Sequence, residues 1–445
     1  MRTETQHSII LVAGTGTATL LGLVYSVYAQ RMLGPVQAAD FVAALALVAW
    51  CQLALGPING TVARFTAQYA DRRQHNKIHA LRQKVARNAA LYMLIGVGVV
   101  LLVANKLAAL LQFHSAVLVV VACGMVYFAL LLSVSRGVLR GLQAFGQLNL
   151  NAILEAAVRL VVGLMILEYS ILATSGLAAY LVALVITLTV SQFQVDRLLR
   201  ARDSTGVRAT DENPLLSRGD GAFGARDQAH SGSIDGRAVS HYAGRMFFML
   251  TVSAGFQNVD MLFVKHYLPG TDAGAYGAAF ILARSMGAIV TPFTILMLPL
   301  LTTLHEQGRA IVHSFLRISG YFVLVAAVPV VLFFLWSDEM ISWLYGEEFG
   351  GAGSVLPVLT VARLFGYLAH MVALAGAATN TFRFMYLYAP ALVVQGVALV
   401  IWHESLAQVA MVMLLGHAGT LVLLASGAAL AWRLGAGRTP GPGVA

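Results

Sequence analysis

The chain has 445 residues, of which 58% are hydrophobic and only 11% charged. Soluble domains carry about 25% charged residues, so this composition cannot cover a water-facing surface and excludes a string of ordinary soluble domains. The net charge of +9 is therefore read against membrane topology and not as a nucleic-acid footprint.

A membrane crossing takes about 20 apolar residues at about 1.5 Å each. In chain order, runs of that length fall at 8–30, 38–62, 89–111, 115–135, 148–170 and 172–194, and, after a long polar stretch, at 244–265, 275–303, 315–336, 354–378, 384–402 and 406–431. This predicts an all-α integral membrane protein with twelve spans. Val27-Tyr28-Ala29 has the form of a signal cleavage site, but a single basic residue precedes the first run, and the repeat described below needs that run as a span. Cys51 and Cys123 lie inside apolar runs, so two buried, inert thiols are expected and no disulfide.

Distributing the 29 Lys and Arg over alternate loops puts 22 on one side, among them Arg72 to Arg87 and Arg197 to Arg245, and only Arg31, Lys106 and Lys265 on the other. By the positive-inside rule both termini are cytoplasmic. The 71–87 stretch, with Ile78, Leu81 and Val85 among basic residues, reads as either a short helix on the anionic leaflet or a solvated loop. The 196–241 segment, rich in Arg, Asp, Gly and Ser, reads as a disordered cytoplasmic linker between a lobe at 1–195 and a lobe at 242–433, with 434–445 as a tail. Sliding the chain by 235 residues lays Leu33 on Leu268, Ala39 on Gly274, Phe41 on Tyr276 and Pro57 on Pro292. Six spans per repeat keep the two halves parallel, an arrangement in which transporters place the substrate path between halves. Pro57 and Pro292 are expected to bend the second span of each half.

Ionisable residues at membrane depth mark bundle interiors or wet cavities. The deep set comprises Arg31, Arg64, Arg159, Lys265, Arg284 and Arg363 against Glu155 and Asp260. Glu155 and Arg159, one helical turn apart, can pair with each other, either as a structural lock or as part of a coupling device. A cavity with this positive balance suits an anionic headgroup, because the Arg fork matches phosphate oxygens. Arg284 and Arg363 are the deepest candidates; Arg31 and Lys265 also read as interfacial anchors. The sequence has no Walker loop, no H-E-x-x-H, no G-x-S-x-G and no Cys/His ligand cluster, so no catalytic residue, metal or cofactor is expected.

Several short motifs resemble those of the polysaccharide-biosynthesis flippases in the multidrug/oligosaccharidyl-lipid/polysaccharide exporter superfamily. They are Asn258-Val259-Asp260 with Leu268, Gly274 and Tyr276; Pro299-Leu300-Leu301; and Gly346-Glu347-Glu348-Phe349 with Ala352 and Val355 to Leu359. The first half adds Arg31 to Gly34, Arg64-Phe65 with Tyr69, and Arg136-Gly137 with Arg140-Gly141. The resemblance implies two six-helix lobes around a V-shaped central cavity. It also implies alternating access for an isoprenoid-diphosphate-linked saccharide, with Arg64 and Arg284 placed to hold the diphosphate. Ala39, where the family usually has glycine, and the long linker are departures, and twelve spans rather than fourteen argue against the lipid II branch.

The expected function is a flippase that carries lipid-linked oligosaccharide to the outer leaflet. Arg284, Arg64, Arg363, Arg31 and Lys265 would line its cationic cavity, and Asp260 or Glu155 would couple it to a proton or sodium gradient. Membrane lipids and a polysaccharide polymerase or glycosyltransferase are the expected partners. The alternatives are a cation-coupled multidrug exporter, which would want an acidic cavity, and a membrane saccharide polymerase or acyltransferase, which would want a catalytic cluster on a sizeable outer loop.

Overall fold

The computed structural model of the protein describes residues 2–54, 56–71, 74–205 and 236–436. Helix α1 (Arg2–Ala54) is two spans in one, broken at Gly34. Gly34 has a φ of 67°, which a side chain would resist, and Pro35 opens the second arm in the first turn, where its missing N–H costs little. After it come α2 (Gly56–Asp71), α3 (His75–Leu110), α4 (Val117–Gly141), α5 (Phe145–Tyr169) and α6 (Ala173–Thr205), which complete lobe one. Lobe two holds α7 (Gly236–Tyr267), α8 (Gly270–Ser285), α9 (Gly287–Glu306), α10 (Val312–Leu335), the short α11 (Ser337–Tyr345), α12 (Gly351–Ala378), α13 (Tyr388–Ile401) and α14 (Leu406–Ala436).

Among the described residues 11 helical stretches are long and apolar enough to cross a bilayer. The first, Gly14–Gln52, contains both arms of α1, so the fold has twelve spans in two lobes of six. Helices are the natural solution, since in lipid every backbone N–H and C=O must find its partner within its own segment.

Within the basic 71–87 stretch, the residues from His75 onward form neither a loop nor a separate surface helix but the first part of α3. The 196–241 segment is helical at both ends, because α6 runs through Thr205 and α7 starts at Gly236. Its middle, 206–235, and the tail after Ala436 lie outside the described residues. Cys51 is exposed and Cys123 half-buried, both as free thiols, so the expectation of two buried thiols fails at Cys51.

At the end that carries the Gly34 turn, one hydrophobic cluster runs through both lobes, with Phe41 and Ala44 on one side and Tyr276 and Phe280 on the other. Small residues allow this closeness, as lipid offers no hydrophobic drive between helices and packing must supply the attraction. A Cβ added to Gly274 would sit 2.0 Å from the Pro35 carbonyl oxygen. At the opposite end each lobe keeps its own cluster, Val62, Val138 and Leu199 in lobe one and Met297, Leu301 and Phe315 in lobe two. The lobes thus meet at the Gly34 end and part toward the other.

Candidate functional site: a cationic cavity between the lobes

Where the lobes part lies a cavity of about 420 Å³. Thr15, Thr19, Ser26, Gln52 and Ser285 give it hydroxyl and amide groups, and Arg136, Glu155, Arg159 and Arg284 give it charge.

Glycines set these charges in place. Gly137 and Gly141, four apart on α4, press that helix onto α2; a Cβ at Gly141 would lie 2.4 Å from the Ala63 carbonyl oxygen. Arg136 then reaches α5, where its Nη2 donates to Glu155 Oε2 at 2.7 Å. Gly163 admits the Tyr25 ring, since a Cβ there would fall 2.0 Å from Tyr25 Cε2, and so holds α5 against the first arm of α1. One turn earlier on α5, the Arg159 guanidinium lies over the Tyr180 ring at 4.4 Å and 6.0 Å from the Tyr25 ring. Its Nε is buried with no hydrogen-bond partner among the described residues. Room for its head comes from Gly22, where a Cβ would be 2.5 Å from Nη2.

Of the five cations predicted for the cavity, only Arg284 lines it. Arg284 ends α8 half-buried, its guanidinium 6.0 Å from the Phe280 ring and its carbonyl accepting from Tyr367 at 3.1 Å. Arg363 is 2% exposed and turned into lobe two, where Nη2 donates to Asp260 Oδ2 at 2.6 Å and Nη1 to the Gln257 carbonyl at 2.5 Å. Tyr276 adds a hydrogen bond of 2.8 Å to the same Asp260 oxygen, and the Phe280 ring lies 4.8 Å from the Arg363 guanidinium. Asp260 is therefore fully buried against Arg363 and Tyr276, its Oδ1 without a hydrogen-bond partner among the described residues, and it does not line the cavity. Lys265, 4% exposed, forms an ion pair of 2.7 Å with Asp40 across the lobe boundary. Arg31 is exposed at the Gly34 end and donates to the Trp343 carbonyl at 3.0 Å, and Arg64 is exposed on α2, outside the cavity wall. The expected Glu155–Arg159 pair does not form, because Arg136 from the neighbouring helix takes the carboxylate and aromatic rings take Arg159. Pro57 lies in the first turn of α2, and Pro292 lies within α9, beyond the break at Met286.

Three participants were missed in the sequence. The apolar run that stops at 135 places Arg136 in a loop, whereas α4 continues to Gly141. Asp40, buried in the second span, forms the ion pair with Lys265 through Oδ1, and its Oδ2 meets the backbone N–H and Nδ1 of His114 at 3.1 and 2.8 Å. A carboxylate inside an apolar run was the available signal. Tyr180, the platform for Arg159, carried no sequence signal, since its role depends on where α6 packs.

The pattern of the polysaccharide biosynthesis protein family matches residues 5–305. No curated protein matches the sequence. Among solved structures, the lipid II flippase MurJ in an inward closed conformation superposes with a TM-score of 0.68 at 12% identity, covering 94% of this chain and 87% of that one. An inward-facing multidrug resistance MATE family transporter of the MOP superfamily gives 0.65 at 13% identity, over 97% and 98% of the two chains. A MATE transporter of Vibrio cholerae gives 0.62 at 11% identity, over 98% of each. At these identities the likeness is one of fold.

Proposed function

This chain belongs to the polysaccharide biosynthesis protein family, and we propose that it is a flippase moving an isoprenoid-diphosphate-linked saccharide from the inner to the outer leaflet of the cytoplasmic membrane. One observation carries the reading: Arg159 and Arg284 face the cavity with no carboxylate partner among the described residues, whereas Arg363 and Lys265 are committed to Asp260 and Asp40. With Arg136 and Glu155 included, the wall holds three cations and one anion. Such a wall attracts a diphosphate, which guanidinium forks can engage through paired charge-assisted hydrogen bonds, and it repels a cationic drug.

The hydroxyl and amide groups of Thr15, Thr19, Ser26 and Gln52 suit a sugar, and the gap between lobes leaves the isoprenoid in the bilayer. With the Lys- and Arg-rich loops and both termini in the cytoplasm, the parted end faces inward, where the loaded lipid is made. Transport then requires the seam at the Gly34 end to open as the other end closes, by rocking of the lobes at the second spans that carry Pro57 and Pro292. Glu155 is the carboxylate placed to link this step to a proton or sodium gradient, since it faces the cavity and already answers to Arg136. Export of the finished unit would feed a polymerase or glycosyltransferase on the far side.

The test is reconstitution into liposomes with a labelled isoprenoid-diphosphate oligosaccharide, comparing wild type with an Arg159→Ala, Arg284→Ala double variant. Wild-type protein should deliver label to the outer leaflet, and the double variant should lose at least about a hundredfold in rate, as expected for two charge-assisted contacts. Equal rates would remove the proposed site, and a wild type that exports a cationic dye but no lipid-linked sugar would replace it with a drug exporter.

A further inference from the structure

A second basic cavity, of about 700 Å³, lies wholly within lobe one and shares no lining residue with the central one. It sits between α3, α4 and α6, and its wall includes Arg82, Lys84 and Arg87 from α3, Leu131 and Ser135 from α4, and Gln192 from α6. Arg82 is used structurally: its Nη1 reaches Asp196 Oδ1 at 2.7 Å and ties α3 to α6 across the cavity. Lys84 and Arg87 are both exposed, and neither has a carboxylate partner among the described residues.

The surface that continues from these two cations decides what they meet. Lys84, Arg87, Leu91 and Leu94 follow one another at i, i+3, i+7 and i+10, and so share one face of α3. Beyond Arg87 that face and its flank are apolar and open, with Leu91 55%, Leu94 64%, Ile95 58% and Leu102 86% exposed. At about 1.5 Å of rise per residue the strip extends roughly 20 Å past Arg87, longer than one leaflet of a bilayer whose hydrocarbon core is about 30 Å thick. Two unpaired cations beside a cavity, followed on the same helix face by an apolar strip of leaflet length, match a molecule with a phosphate head and an acyl tail. A soluble phosphate would satisfy only the first half of the surface, and a zwitterionic lipid would bring a cation of its own beside the two already there.

We propose that Lys84 and Arg87 hold the phosphate of an anionic phospholipid whose acyl chain lies along Leu91, Leu94, Ile95 and Leu102, a lipid site separate from the transport cavity. It does not depend on the flippase reading, since its occupant is a bilayer lipid and its readout is lipid retention. Basic pockets between spanning helices bind anionic headgroups by this combination of charge and apolar wall.

The experiment uses the full-length protein in detergent micelles, titrated with phosphatidylglycerol or with phosphatidylcholine of the same acyl chains, and read by native mass spectrometry. Wild type should retain phosphatidylglycerol over phosphatidylcholine. A Lys84→Gln, Arg87→Gln variant should bind phosphatidylglycerol roughly thirtyfold more weakly, about fivefold for each cation removed. A Lys84→Arg, Arg87→Lys variant should bind within a few fold of wild type. Both positions are exposed, so all three proteins should melt alike in zwitterionic micelles. The proposal fails if the Gln variant retains phosphatidylglycerol as wild type does, if phosphatidylcholine is held equally well, or if inorganic phosphate displaces the lipid at equal concentration, which would make the site one for free phosphate.

Discussion

In lobe one the rings of Tyr25 and Phe41 meet edge to face at 6.4 Å, while in lobe two the positions offset by 235 residues are Asp260 and Tyr276, joined by a hydrogen bond of 2.8 Å. The same two facing helices are thus closed by aromatic packing in one repeat and by a charged knot in the other. Lobe two turns its deepest charges inward, with Arg363 and Tyr276 both on Asp260 Oδ2, away from the cavity. Lobe one, with apolar and aromatic contacts between its first two spans, leaves Arg136, Glu155 and Arg159 on the cavity wall. The division of labour is uneven: lobe two closes Arg363 and Asp260 on each other and gives the cavity Arg284, whereas lobe one supplies three of the four charged residues on its wall.

The division can be broken most sharply at the two buried or half-buried arginines. Removing Arg363 leaves Asp260 uncompensated in the core of lobe two, so Arg363→Ala should cost about 3–5 kcal/mol, and replacing both partners by apolar residues should recover most of that loss. Arg159→Ala gives up mainly a contact with aromatic rings and should cost no more than about 2 kcal/mol, while removing transport. Thermal unfolding of the purified variants in detergent would check both values. Equal losses at the two positions would mean that lobe one also uses its arginine to hold the fold.

The contrast between lobes explains how much of the site could be read in the sequence. Span number, lobe pairing and the importance of deep charges follow from composition and from where apolar runs stop, and these are properties of the chain itself. Partner choice is not. Glu155 and Arg159 are correctly spaced to pair along α5, yet Arg136 reaches the carboxylate because Gly137 and Gly141 bring α4 close to α2 and turn its neighbouring residue toward α5. Arg363 and Asp260 are 103 positions apart, and nothing local to either indicates that the deep arginine is already neutralised. The same holds for Lys265, whose partner Asp40 lies in the other repeat. Depth in the membrane marks a charge as consequential; whether it faces a cavity or a counter-ion is set by helix packing.

A smaller effect is expected where the two lobes touch. The Cβ of Gly274→Ala would meet the Pro35 carbonyl oxygen, part of the rigid backbone at the Gly34 kink, and cannot be absorbed by a side-chain rotation. Gly163→Ala meets the buried Tyr25 ring instead, a clash contained within lobe one. Overpacking at Gly274 should cost about 1–3 kcal/mol and wedge the lobes apart at the Gly34 end. With Cys51 and Cys123 replaced and a reporter cysteine at Ser285 in the cavity wall, a membrane-impermeant maleimide added on the Gly34 side should label the Gly274→Ala protein severalfold faster than its parent, whereas Gly163→Ala should leave that rate unchanged. Unchanged labelling in both would show that the seam is not what closes that end.

The smallest difference tests the repeat itself. Tyr25 donates to the Gly176 carbonyl at 2.7 Å, a neutral hydrogen bond, whereas Tyr276 donates to the Asp260 carboxylate. Neutral side-chain hydrogen bonds between membrane helices contribute about 0.6 kcal/mol on average, because the chain unfolded within the bilayer also finds partners. A bond to a charged acceptor contributes about 1.5–3 kcal/mol. Tyr276→Phe should therefore lower the melting temperature clearly and Tyr25→Phe only slightly. The excess at Tyr276 should vanish in an Asp260→Leu, Arg363→Met background, where no charge remains for the hydroxyl to serve. An excess that persists there would place the strength of that site in packing around the ring, and the chemical asymmetry between the lobes would then be incidental to their stability.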